Sequence, residues 1–97
     1  MGDREYGNTV LITATVRAMK EKLDENNWKK PIVDLELPKA LMRMRDELAE
    51  LQEELKKANL DYVAIRRELA DIINFAGSAI VDCDRMLFKQ TLWGGKE

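Results

Sequence analysis

Residues 62–91 form the stretch that most limits the fold. It runs thirty residues without a proline and with a single glycine, Gly77. Leu69, Ile72, Ile73, Ala76, Ala79, Ile80, Cys83, Met86 and Leu87 spread its apolar side chains over more than one face. A helix patterned in this way needs cover on more than one side. At 1.5 Å per residue it would be roughly 45 Å long, too long for a compact domain of this size. Either it bends near Gly77 and Ser78, or a second subunit packs against it.

The rest of the chain supplies part of that cover. Ile12, Val16, Met19 and Leu23 recur at steps of four, three and four, which predicts a first helix over 9–26 with Asn8 or Thr9 at its start. Residues 1–8 are polar and read as a loose N-terminus. The connector "WKKPIVDLEL", residues 28–37, carries Pro31 and precedes Pro38. It reads as an extended loop packed on the helices. Pro38 suits the first turn of a second helix that runs to about Ala58. In that helix Leu41, Met44, Leu48, Leu51 and Leu55 repeat at three and four residues, a coiled-coil-like seam. Asn59, Leu60 and Asp61 make a short turn, with Asp61 as N-cap of the third helix. A turn this short sets helices two and three antiparallel. Residues 92–97 form a tail. The whole is read as one all-α domain of 97 residues, a helical bundle. A domain this small buries roughly 60–70% of its unfolded surface, so association with a second copy would extend its core.

Composition excludes several function classes. With 16 basic and 18 acidic residues, no general nucleic-acid or anionic-membrane surface is expected. No run of about 20 apolar residues is present to span a bilayer. The N-terminus lacks the basic-then-apolar layout of a signal peptide. Histidine is absent, which removes His-ligated metals, Cys–His dyads and Ser–His–Asp triads from consideration. The single cysteine, Cys83, cannot form an internal disulfide. It reads as a buried structural thiol, in keeping with a reducing cytoplasm.

What chemistry remains rests on carboxylates. In "DELAELQEEL", residues 46–55, Glu47 and Glu50 each stand one position before a seam leucine. In the third helix Glu68 and Asp71 stand one position before Leu69 and Ile72. A spacing of three places each pair on one helix face. Both pairs lie at comparable distances from the turn, so they can face each other across the hairpin. Four carboxylates meeting beside an apolar seam are costly unless a cation neutralises them. Oxygen ligands of this kind suit Mg²⁺, with Mn²⁺ as an alternative. Glutamates at helical spacing are also common as solvated flanks that pair with Lys or Arg, and that reading leads to a helical interaction module with no chemistry.

The two motifs together resemble the MazG-like all-α nucleoside triphosphate pyrophosphohydrolases. The family signature is Glu-x-x-Glu, a spacer of variable length, then Glu-x-x-Asp. Here it reads Glu47-x-x-Glu50, 17 intervening residues, and Glu68-x-x-Asp71. Asp46 beside Glu47 resembles the doubled acid of many members, and "ELADIINFA" is similar to the Glu-x-x-Asp-x-x-Asn form. The likeness covers residues 28–86. It implies that Glu47, Glu50, Glu68 and Asp71 hold Mg²⁺, that one of these acids, with Glu47 and Glu50 foremost, or a nearby acid such as Glu54 orients the attacking water, and that a nucleoside triphosphate yields monophosphate and pyrophosphate. It also implies completion of the bundle as a homodimer or tetramer. Relatives follow the acids with a lysine that meets the phosphates, for which Lys89 is the nearest counterpart. Asn74, one turn after Asp71, would bind sugar or phosphate, or else satisfy a neighbouring backbone group. Trp28 and Lys30 would stack on a base and meet a phosphate, or else pack the connector. Arg66 and Arg67 are expected to pair with exposed acids.

Overall fold

A computed structural model describes residues 2–26 and 35–93. Trp28, Lys30 and the rest of residues 28–34 of the connector lie outside the described residues. The order is α1 (Asp3–Asn26), α2 (Leu37–Leu55) and α3 (Tyr62–Trp93), with no strand among the described residues. No described helix is long and apolar enough to cross a membrane.

α1 begins six residues before the expected start at Thr9. Asp3 and Glu5 stand in its first turn, where carboxylates favour the positive end of the helix dipole. Thr9 is therefore inside the helix, and its hydroxyl donates to the Glu5 carbonyl at 2.9 Å instead of capping. The residues expected to be loose are largely the first turns of a helix.

α2 starts where its proline predicts. Glu36 is extended, and the Ala40 amide donates to its carbonyl at 2.9 Å. The Leu37 amide, otherwise an orphan donor of the first turn, donates to Asp82 Oδ2 of α3 at 2.9 Å. α2 stops three residues short of the expected Ala58. There the Lys56 and Lys57 amides donate to the Glu53 and Glu54 carbonyls in tightened last-turn bonds, while the two lysine ammoniums pair with the same two carboxylates.

α3 starts as its cap predicts, since Asp61 Oδ1 accepts from the amides of Val63 and Ala64 at 3.1 Å each. It continues unbroken through Gly77 and Ser78 for 32 residues. A Cβ on Gly77 would meet Met19 Cε of α1 at an ordinary 3.5 Å.

α3 packs against both other helices, and among the described residues α1 and α2 do not approach each other. The buried apolar set is Ala18, Ala40, Leu51, Ala70, Phe75 and Ala79, mostly small residues. Much of the apolar pattern is uncovered. In α1, Ile12 and Val16 are exposed; in the α2 seam, Leu41, Leu48 and Leu55 are exposed; in α3, Leu69, Ile80, Met86 and Leu87 are exposed. Cys83 is exposed too, not the buried thiol expected from its apolar neighbours. The physical reason is common to all of these. Each outer helix covers one side of α3, and the described residues bring no further element to the other sides. The radius of gyration is 16.7 Å, against about 12.5 Å for a compact chain of this length.

Candidate metal centre

The acids of α2 and α3 meet. Carboxylate oxygens of Glu47, Glu50 and Glu68 lie within 4.8 Å of one another. Glu47 and Glu68 are half-buried, and Glu50 is exposed. Asp71 stands beside this triangle. Its Oδ2 is 3.5 Å from the ammonium of Lys22 on α1, and both side chains are largely covered.

Crowding of like charges is visible in the protonation of the site. The Glu47 carboxyl is pushed up to about 8, first by burial, then by its hydrogen bond with Glu68, then by the charges of Asp71, Glu50 and Glu68. Burial raises the Asp71 carboxyl as well, opposed by Lys22. Glu68 Oε2 is buried without a hydrogen-bond partner among the described residues. A buried acceptor of this kind is costly unless a proton, a donor or a cation reaches it. The donor set fits a hard divalent ion: oxygen-only, close-set, and open toward solvent at Glu50. Exposed acidic groups are also common without an ion.

The neighbouring residues show what each side of α3 does. Arg66 donates to Glu21 Oε2 at 2.6 Å, and Arg67 pairs with Glu25, both across to α1. The expected pairing of these arginines with exposed acids is therefore present. Beside the cluster lies a cleft of about 380 Å³ lined by Lys22, Asp61, Val63, Ala64, Arg67 and Glu68. Asn74, only 4% exposed, donates from Nδ2 to the Met19 carbonyl at 3.2 Å. The expected backbone bond is thus present, and Asn74 Oδ1 has no hydrogen-bond partner among the described residues. Glu54 pairs with Lys57 and stands outside the triangle.

Lys89 is not brought to the acids. It lines a separate cleft of about 570 Å³ with Glu36, Leu37, Pro38, Asp82, Arg85 and Met86. Eighteen residues of helix separate it from Asp71, roughly 27 Å. Trp28 and Lys30 lie outside the described residues.

Two contributors escape sequence reasoning. Lys22 is one position before Leu23 in the apolar stripe of α1, just as Glu68 is before Leu69, so it flanks a packing face. Only the register of α1 on α3 shows that it faces Asp71. Asp82 carries no cap signal of its own, because the helix that it caps begins 45 residues earlier. Compared with known proteins, the chain matches no family model, no curated protein and no solved structure.

Proposed function

We propose that this chain is a Mg²⁺-dependent nucleoside triphosphate pyrophosphohydrolase, built on an antiparallel α2–α3 hairpin and completed by self-association. The supporting observation is the meeting of Glu47, Glu50 and Glu68 within 4.8 Å, with Glu68 Oε2 buried and unpartnered among the described residues. The pairs Leu37–Asp82 and Glu47–Glu68 are those expected of antiparallel neighbours. The exposed apolar residues of α1, α2 and α3 provide surface for a second copy, as homodimer or tetramer.

In this reading Glu47, Glu50, Glu68 and Asp71 hold the ion. Bound Mg²⁺ would neutralise phosphate charge and make water a better nucleophile. The carboxylates of this chain then have two tasks. Glu50, at the solvent edge, orients the attacking water. Glu47, once ionised, accepts the proton as water oxygen bonds to the α-phosphorus and the bond to the pyrophosphate oxygen breaks. Monophosphate and pyrophosphate leave.

The test is pyrophosphate release from a panel of NTPs and dNTPs with Mg²⁺. Turnover on at least one nucleotide, lost in Glu68→Gln, is expected. No turnover, or turnover that survives Glu68→Gln, rejects the reading. A non-catalytic helical interaction module is favoured by one observation: Lys22 already gives Asp71 a cation. Mn²⁺ calorimetry separates the two, because a module with solvated acids takes up no ion.

A further inference from the structure

Lys22 lies between two features that the proposed reaction uses separately. On one side its ammonium is 3.5 Å from Asp71 Oδ2, with only 14% of its side chain exposed. That separation exceeds the roughly 2.7–2.9 Å of a tight charge-assisted hydrogen bond. The pair is an electrostatic contact that a closer cation can displace. On the other side Lys22 lines the cleft that also contains Arg67 and Glu68. α1 thus delivers a cation to the boundary between the carboxylates and an adjoining space large enough for phosphate groups.

Charge decides what that space accepts. Among the described residues its lining carries Lys22 and Arg67 against Asp61 and Glu68, so these charges balance. The three clustered carboxylates next to it add negative charge. A divalent ion shared by those acids reverses this in two ways. It would add two positive charges beside the cleft, and by engaging Asp71 as well, which stands beside the three-acid triangle, it would release the ammonium of Lys22.

We propose that Lys22 couples metal binding to phosphate binding: it is the resident counter-cation of Asp71 in the metal-free chain and a phosphate-binding residue of the adjoining cleft once a divalent ion holds Asp71. This rests on the metal reading given above and adds the residue through which α1 takes part. It also gives α1 a role that its uncovered apolar half does not explain. The order of events follows from the charges. The ion binds first or together with the anion, and the anion alone binds poorly.

Calorimetry on the full chain tests it, with Mn²⁺ alone as the first probe and inorganic pyrophosphate with saturating Mg²⁺ as the second. Lys22→Met removes the competing charge and keeps the stem. It should bind Mn²⁺ several-fold more tightly than the wild type and pyrophosphate at least tenfold more weakly. Lys22→Arg should restore most of the pyrophosphate affinity. Opposite shifts in the two affinities distinguish this from simple damage to the fold, which lowers both. If Lys22→Met is poorly folded by circular dichroism, Lys22→Gln is measured in its place. Weaker Mn²⁺ binding in the neutral variant, or unchanged pyrophosphate affinity, overturns the inference while the metal site stands. Absence of Mn²⁺ uptake by the wild type overturns the metal reading itself and this inference with it.

Discussion

Replacing Glu47 by glutamine should stabilise the metal-free protein at high pH and leave it unchanged at low pH. In the wild type, oxygens of Glu47, Glu50 and Glu68 lie within 4.8 Å of one another. Two unit charges at that distance repel by roughly 0.9 kcal/mol at the dielectric of water and roughly 3.5 kcal/mol at an effective value of 20. Glu50 is exposed and Glu47 half-buried, so the interaction lies nearer the first limit, about 1 kcal/mol for each of two neighbours. The Glu47→Gln substitution removes that repulsion, and the new amide donates to Glu68 without a titrating proton. At pH 9 Glu47, with its carboxyl at about 8, is mostly ionised in the wild type. The variant should then gain at least about 2 kcal/mol, since burial of the charge and Asp71 add to this repulsion; for a domain of this size about 2 kcal/mol is roughly 8–16 °C in Tm. At pH 5 the wild-type carboxyl is protonated and the difference should nearly vanish. Thermal melts of both proteins at one concentration and at the two pH values, with chelator, measure this. At pH 7.5 added Mn²⁺ should raise the wild-type Tm and move the variant far less. A variant less stable than the wild type at pH 9, or equally shifted at both pH values, would refute the electrostatic account of the site.

Three further outcomes follow from the same geometry. For the wild type without metal, Glu47 is ordinary in the unfolded chain and raised to about 8 in the fold. The native state therefore holds more protons between those values, and stability should fall as pH rises from about 4.5 to 8; urea midpoints that rise over this window contradict it. Gly77→Ala should stabilise by about 0.5–1 kcal/mol, because the new Cβ meets Met19 Cε at 3.5 Å and leaves the helix with less backbone entropy to lose; a lower urea midpoint would show that the α1–α3 contact has no room for a methyl. Asp61→Ala removes the acceptor of the Val63 and Ala64 amides and should cost about 1 kcal/mol, measured as a lower urea midpoint at pH 7.

What is legible in the sequence depends on how local the determining physics is. The start of α3 follows from one carboxylate and the amides two and three residues on, and Asp61 stands where that rule puts it. The entry to α2 follows from Pro38 and its fixed φ. The meeting of Glu47 with Glu68 follows from a short turn and comparable distances along two helices. The start of α1 escapes because Asp3 and Glu5 act through the helix dipole, a weak preference, while Thr9 looks like a cap. Exposure of Cys83, Ile80 and Leu48 escapes for a different reason. Periodicity tells which residues share a face, not whether the same chain brings something to cover it.

The same distinction explains why α1 is hard to interpret from pattern alone. Its stripe predicts burial along its length, yet only the second half meets α3, through Ala18, Met19 and Lys22. On α3 Arg67, Asp71 and Asn74, at steps of four and three, form one continuous face that answers it, with Arg66 reaching Glu21 at its edge. Glu68 is one position off that face and turns to α2, where it meets Glu47. Asp71 is therefore the residue that both helices reach: Lys22 from one side, the charges of Glu47 and Glu50 from the other. This polar row contributes little to the core: replacing both Lys22 and Asp71 by apolar side chains of equal size should stabilise, whereas removing one of them leaves the other's charge covered and unpaired. If these residues only held the helices together, an apolar row would do so at lower cost. Their presence in a bundle otherwise short of buried surface is the physical reason to look for a ligand there.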